Sequence, residues 1–174
     1  SVFTTGGDIL GTPVPKVTAA TVFLGTFNGF AAVTEGDPML STKFGKQFPD
    51  KPLEVKGFFK YIGGAPFYNK EGVEVDQKDE CAISAVLYEI ENEEETLHGG
   101  NIYTAENIVA SAIFNSKDQQ TYTPFSLKLT YHKEYDATKK YKFAVIFSAS
   151  KDGANYEAAV GSKLFVDNVS IISE

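Results

Sequence analysis

Apolar positions in this chain recur at every second residue far more often than at every third or fourth. Phe125, Leu127, Leu129 and Tyr131 alternate with Ser126, Lys128 and Thr130, the pattern of a strand that buries one face and wets the other. Tyr141, Phe143, Val145 and Phe147 form a second such row. Ala144 and Ile146 between them are apolar too, which predicts a strand covered on both sides. Leu53, Val55, Phe59 and Tyr61 alternate with Glu54, Lys56, Phe58 and Lys60 across Gly57, where the missing side chain marks a bulge or a close backbone approach. Val17 to Leu24, Cys81 to Ile90, Ile108 to Phe114 and Leu164 to Ile172 complete seven main strands, and Ser1 to Leu10 has room for one or two more.

Turn residues separate these runs: Asp37-Pro38, Phe48-Pro49-Asp50, Ile62-Gly63-Gly64, His98-Gly99-Gly100 and Lys151-Asp152-Gly153. Thr104 to Asn107 has the makings of a helix start, but the β-branched Ile108, Val109 and Ile113 that follow favour a turn and then a strand. Short strands with long irregular links predict an all-β fold, a two-sheet antiparallel β-sandwich with Greek-key or jelly-roll connections. Phe125, Leu127, Leu129, Phe143, Val145, Leu164 and Val166 are its expected core. The 174 residues fit a single domain.

Charge narrows the partners. The net charge is -7, and all 16 basic residues are lysines, so nucleic acid is excluded as a natural ligand and no bidentate arginine clamp on an anion exists. The same balance favours a neutral glycan or polysaccharide over an anionic one unless lysines cluster locally. Cys81 is the only cysteine and opens an apolar run, which makes it a buried small hydrophobe. No run is apolar enough to insert in a membrane. Because the chain begins at Ser1 rather than Met, it reads as a processed chain or a piece of a longer protein.

Motifs for nucleotide binding, zinc peptidases and serine hydrolases are missing, and His98 and His132 stand in separate segments. Paired carboxylates are the one catalytic arrangement left open, with Glu54, Glu89 and Asp79-Glu80 on or beside strands, though wet strand faces explain them better. Asp167 shares a period-two row with Phe165, Val169 and Ile171. That row predicts a buried carboxylate, held by backbone N–H groups or by a structural calcium ion, with a register bulge that turns it outward as the remaining alternative.

An ordered series of segments resembles the PCMD family, a carbohydrate-metabolism domain of Bacteroidetes surface lipoproteins. The series runs Phe44-Gly45-Lys46-Gln47-Phe48, Gly57-Phe58-Phe59-Lys60-Tyr61 and Asp79-Glu80-Cys81-Ala82-Ile83. It continues through Tyr122-Thr123-Pro124-Phe125 and Phe147-Ser148-Ala149-Ser150-Lys151-Asp152-Gly153 to Gly161-Ser162-Lys163-Leu164 and Phe165-Val166-Asp167-Asn168-Val169. It covers roughly residues 25–172. Tyr122 stands where relatives commonly carry Trp. The resemblance implies a galactose-binding-like jelly roll, a C-terminal position in a longer protein, and a place at the cell surface or in the periplasm as part of an outer-membrane lipoprotein, beside neighbouring domains. It also implies a noncatalytic carbohydrate-binding role with no required cofactor and no catalytic residue. Lys60, Tyr61, Tyr88, Asn155 and Tyr156 are the expected glycan contacts, since sugars are held by aromatic faces and adjacent polar groups. Two alternatives stay open: a glycoside hydrolase using a carboxylate pair, and a structural or protein-docking domain.

Overall fold

The computed structural model describes residues 1–4, 8–9, 12–13 and 15–174. Six long strands dominate: β1 (Pro52–Ile62), β2 (Cys81–Ile90), β3 (Ile108–Ser116), β4 (Gln119–Lys128), β5 (Lys140–Ser148) and β6 (Lys163–Ser173). A large sheet runs in the order Thr130–Tyr131, β3, β2, β5, Thr21–Phe23, with Lys46–Gln47 also paired to β5. A small sheet runs β4, β1, β6. All these pairings are antiparallel.

The two sheets face one another across a core built from alternate residues. Val55, Phe59 and Tyr61 of β1 and Phe125 and Leu127 of β4 meet Ile83, Ala85 and Leu87 of β2 and Phe143 and Val145 of β5. Leu129, Leu164 and Val166 pack against this cluster from partly buried positions, so every expected core residue lies in it or against it. The large sheet is also covered on its far side. Val86, Tyr88 and Ile90 of β2 and Ala144 and Ile146 of β5 pack there under Phe44, Leu97 and Ile102. This double cover is why β2 and β5 read as unbroken apolar runs.

The architecture is all-β and antiparallel, but it is less tidy than two sheets. Four small sheets accompany the main pair: Val2–Thr4 with Val17–Ala19, Asp8–Ile9 with Thr12–Pro13, Gly25–Phe27 with Thr42–Phe44, and Phe67–Tyr68 between Glu74–Val75 and Ala158–Ala159. The predicted strand Val17 to Leu24 divides at Ala20, whose N–H donates to Ser1 O (3.1 Å) while its carbonyl accepts from Ala149 N (3.1 Å). Its halves therefore enter different sheets. The alternating row Phe125 to Tyr131 divides likewise, turning a corner at Leu129 from the small sheet to the large one while its apolar side stays inward.

Gly57 is a close approach. A Cβ there would stand 3.0 Å from the Asp167 carbonyl oxygen and 3.0 Å from the Phe125 ring. The bulge lies opposite, in β6. Asp167 pairs with Phe58 and Ser170 with Lys56, so three steps along β6 match two along β1, and Asn168 takes up the difference with φ of 50°. Before this point Leu164 and Val166 face the core; after it Ile171 does. Asp167 consequently points outward and is exposed, its carboxylate accepting only the N–H of Asn168 (2.8 Å). The expectation of a buried Asp167 fails because Asp167 shares the outer face with exposed Phe165, and the bulge turns only Ile171, beyond it, inward.

Candidate active site

One end of the sandwich brings together three segments that are far apart in the chain: the turn before β2, the loop after β5 and the start of β6. Asp79, just before β2, is 4% exposed and accepts four hydrogen bonds. Its Oδ1 takes Glu80 N (2.9 Å) and Ser150 Oγ (2.8 Å), and its Oδ2 takes Ala159 N (2.8 Å) and Ser162 Oγ (2.9 Å). Burial raises its pKa above the ordinary carboxylate value, against the pull of those donors. With every acceptor position occupied, Asp79 braces the loops and has no free oxygen for a ligand.

The same seam explains Gly64. Its N–H donates to Ser162 Oγ (3.0 Å), and a Cβ in its place would lie 2.0 Å from Val160 O. Only a residue without a side chain admits the 160–162 backbone at that distance.

Above this brace lies a second carboxylate group. Lys151 N donates to Glu80 O (2.8 Å), tying the loop to the start of β2, and Lys151 Nζ lies 3.4 Å from Glu80 Oε1. Asp152, half-buried, precedes the 3-10 turn Gly153–Asn155 without accepting a capping bond from it, so its carboxyl stays free of protein donors among the described residues. Burial raises the pKa of Asp152; Lys151 opposes the rise, and the negative charges of Glu157 and Glu80 add to it. The outcome is a half-buried carboxyl without a protein donor beside a carboxylate that is paired with a lysine. Acid-assisted bond cleavage needs two neighbouring acids in unlike surroundings.

The expected glycan contacts do not converge here. Tyr61 and Tyr88 are fully buried, which corrects their assignment as sugar platforms. Tyr61 OH donates to Ala149 O (3.1 Å), and its pKa is raised by burial. Tyr88 OH donates to Phe44 O (2.6 Å) on the other side of the large sheet, and burial pushes its pKa up to about 12. Both satisfy a polar tip inside a core, which the sequence row could not distinguish from an exposed aromatic. Asn155 and Tyr156 lie in the loop after β5, where Tyr156 adopts a left-handed φ of 61° as the 3-10 turn ends. Lys60 lies apart from them, on the outer face of the small sheet.

The other acids weighed from the sequence are surface groups. Glu54 accepts from Ser126 Oγ (2.5 Å), and Glu89 is paired with Lys139 (2.9 Å). His132 Nε2 meets Ser111 Oγ at 2.8 Å, away from the carboxylate group. Among the described residues no three His, Cys, Asp or Glu side chains are grouped to hold a metal, at Asp167 or elsewhere. No helix among them is long and apolar enough to cross a membrane. Asp79, Ser150, Asp152 and Ser162 were all present in the motif series; their convergence was not visible because it depends on how three strand ends meet.

Two solved structures resemble this one. The first, described as a "putative glycoside hydrolase" from Bacteroides thetaiotaomicron VPI-5482, has a TM-score of 0.83 and 31% identity over 91% of this chain. The second, given the same description, is from Bacteroides vulgatus ATCC 8482, with a TM-score of 0.80 and 30% identity over 91% of this chain. The matched part is 48% of the first structure's chain and 66% of the second's. No curated protein matches the chain. These descriptions overturn the expectation of a noncatalytic domain and favour the hydrolase alternative. Residues 2–172 match one family profile, and the chain belongs to the family described as "Putative carbohydrate metabolism domain".

Proposed function

We propose that this domain takes part in glycoside hydrolysis, with Asp152 as proton donor and Glu80, paired with Lys151, as its partner. The observation that carries the reading is the unlike surroundings of the two acids. Asp152 is half-buried with no protein donor and its pKa is raised by burial, and Glu80 is ion-paired with Lys151. A protonated carboxyl can deliver its proton to the glycosidic oxygen as the bond breaks, while the neighbouring carboxylate meets the positive charge that develops on the sugar. Asp79 positions both by fixing the 79–80 turn to the 150–162 loop.

The descriptions of the two related structures support this reading, as does the family's link with carbohydrates. Because the chain spans only part of each relative, we read it as one module of a longer protein. The order of the long strands, β1 small, β2 and β3 large, β4 small, β5 large, β6 small, supports a jelly-roll-like winding.

Reducing ends released from a panel of plant and host glycans test the proposal. Wild type should release product, and Asp152→Asn should lower the rate by about a hundredfold or more with an unchanged melting temperature. Glu80→Gln should do the same. Activity should fall as pH rises through the raised pKa of Asp152, since the acid must be protonated to act. Absence of product from wild type, or full activity in Asp152→Asn, defeats the reading. Anomeric NMR of the first product then tells whether Glu80 attacks the sugar directly or through water.

A further inference from the structure

The outer face of the small sheet carries an arrangement that the hydrolytic site does not use. Each of its three strands presents one exposed aromatic ring at the same end: Tyr122 of β4 (52% exposed), Phe58 of β1 (41%) and Phe165 of β6 (39%). Phe165 is the cross-strand partner of Lys60, and Phe58 is paired with Asp167 on one side and Pro124 on the other. Tyr122 is exposed in the stretch between Gln119 and Thr123, where β4 leaves register with β1, one residue beyond the paired Thr123.

Charge on this face departs from the rest of the chain. Lys56, Lys60, Lys128 and Lys163 lie on it against Glu54 and Asp167, a local excess of two positive charges in a protein of net charge -7. Glu54 already accepts from Ser126, and Asp167 from Asn168. Lys60 Nζ lies 5.7 Å from the centre of the Phe165 ring, so a cation stands at the edge of an aromatic platform.

We infer that this face binds an extended polysaccharide carrying carboxylates, a uronic-acid-containing chain laid across Tyr122, Phe58 and Phe165. The inference deepens the hydrolase reading and rests on it for the class of substrate. The C–H faces of the sugar rings cover the aromatic rings, and their carboxylates reach Lys60 and its neighbouring lysines. The sequence balance favoured neutral glycans; the clustering of four lysines on one face reverses that preference. An exposed face that runs across three strands gives an extended chain more contact than a compact one.

Titration calorimetry with a β-1,4-linked oligomannuronate hexamer and with cellohexaose separates charge from shape, because both are β-1,4-linked six-sugar chains and only one bears carboxylates. Wild type should bind the uronate hexamer at least about tenfold more tightly at low salt, and the difference should shrink as salt is raised. Tyr122→Ala/Phe165→Ala should lower uronate affinity by about tenfold or more. Lys60→Gln should lower it about three- to fivefold and leave cellohexaose binding unchanged. Equal affinity for both hexamers, no measurable uronate binding, or full binding by the double variant overturns the inference, provided the variants melt with wild type. The Asp152→Asn protein distinguishes the two proposals. Binding without product in any sample defeats hydrolysis and leaves the platform standing; product with no uronate preference defeats the platform.

Discussion

The central strands of the large sheet, β2 and β5, are buried on both faces and the small sheet on one, and the contrast explains why neighbouring strands of one sandwich have unlike sequences. In β2, Leu87 faces the partner sheet and Tyr88 faces the opposite way, yet both are fully buried. In β1, Phe59 is 3% exposed and its neighbour Phe58 is 41% exposed. An aromatic residue in a strand therefore has no fixed meaning in this fold. Its role depends on whether a second layer lies over it.

Substitutions on both faces of each sheet test this contrast. Phe143→Ala and Tyr88→Ala, on opposite sides of the large sheet, should each cost about 3–5 kcal/mol in denaturant unfolding. Phe59→Ala should cost a similar amount, but Phe58→Ala should stay within about 0.5 kcal/mol. A large loss at Phe58 would mean that the small sheet is covered on its outer side too.

The seam between the sheets is next in size. Gly64→Ala should cost about 3 kcal/mol, the upper end of overpacking, since the added carbon meets backbone rather than a flexible side chain. Asp79→Asn should cost about 1–3 kcal/mol. Each Asp79 oxygen serves one rotatable serine hydroxyl and one fixed backbone N–H, so an amide must turn its NH2 towards either Glu80 N or Ala159 N. The pH dependence has a defined sign. A carboxyl whose folded pKa lies above its unfolded value binds its proton more tightly when folded, so the wild type loses stability as pH rises from 3.8 through the raised value. Asn at this position does not titrate. The advantage of wild type over Asp79→Asn should therefore be greatest at low pH and narrow across that window, as measured by melting temperature in a pH series.

The smallest expected effect is at the bulge. Asn168→Val places a β-branched residue at a φ of 50° and should cost about 1 kcal/mol, whereas Asn168→Gly should be close to neutral. Equal stability of the two variants would mean that the bulge relaxes and the register of β6 is not pinned there.

The long strands were legible because burial follows a period of two wherever a strand is regular. Cys81 to Ile90 matches β2 end for end, and the apolar Ala144 and Ile146 correctly announced cover on both sides of β5. Legibility failed where the third dimension intervenes. The one-residue bulge put Asp167 and Ile171 of one period-two row on opposite faces, and a corner at Leu129 sent a single alternating row into two sheets. Tyr61 and Tyr88 looked like surface rings because the carbonyl groups that accept their hydroxyls lie 88 and 44 residues away. The candidate active site was the least legible part. Glu80 was weighed as one acid of a pair but Asp152 read as a turn residue, and only the meeting of Glu80, Lys151 and Asp152 at one end of the sandwich gives the two acids unlike surroundings. The lysine-rich face was hidden for a related reason: Lys56, Lys60, Lys128 and Lys163 belong to three separate strands.

The central position of β1 in the small sheet also sets a timetable for synthesis. Its two neighbours are β4 and β6, so a growing chain has made all of β1 long before either partner leaves the ribosome. The last pairing joins Pro52 to Ser173, and beyond it Lys51 and Glu174 exchange backbone hydrogen bonds and form an ion pair at 2.8 Å. Val55, Phe59 and Tyr61 thus wait in the nascent chain for a strand more than a hundred residues later, a separation that slows folding and leaves an unpaired apolar strand open to wrong partners. β1 therefore keeps one edge unpaired until Ser173 has been made, and it is the strand of this sheet most open to wrong pairing during synthesis.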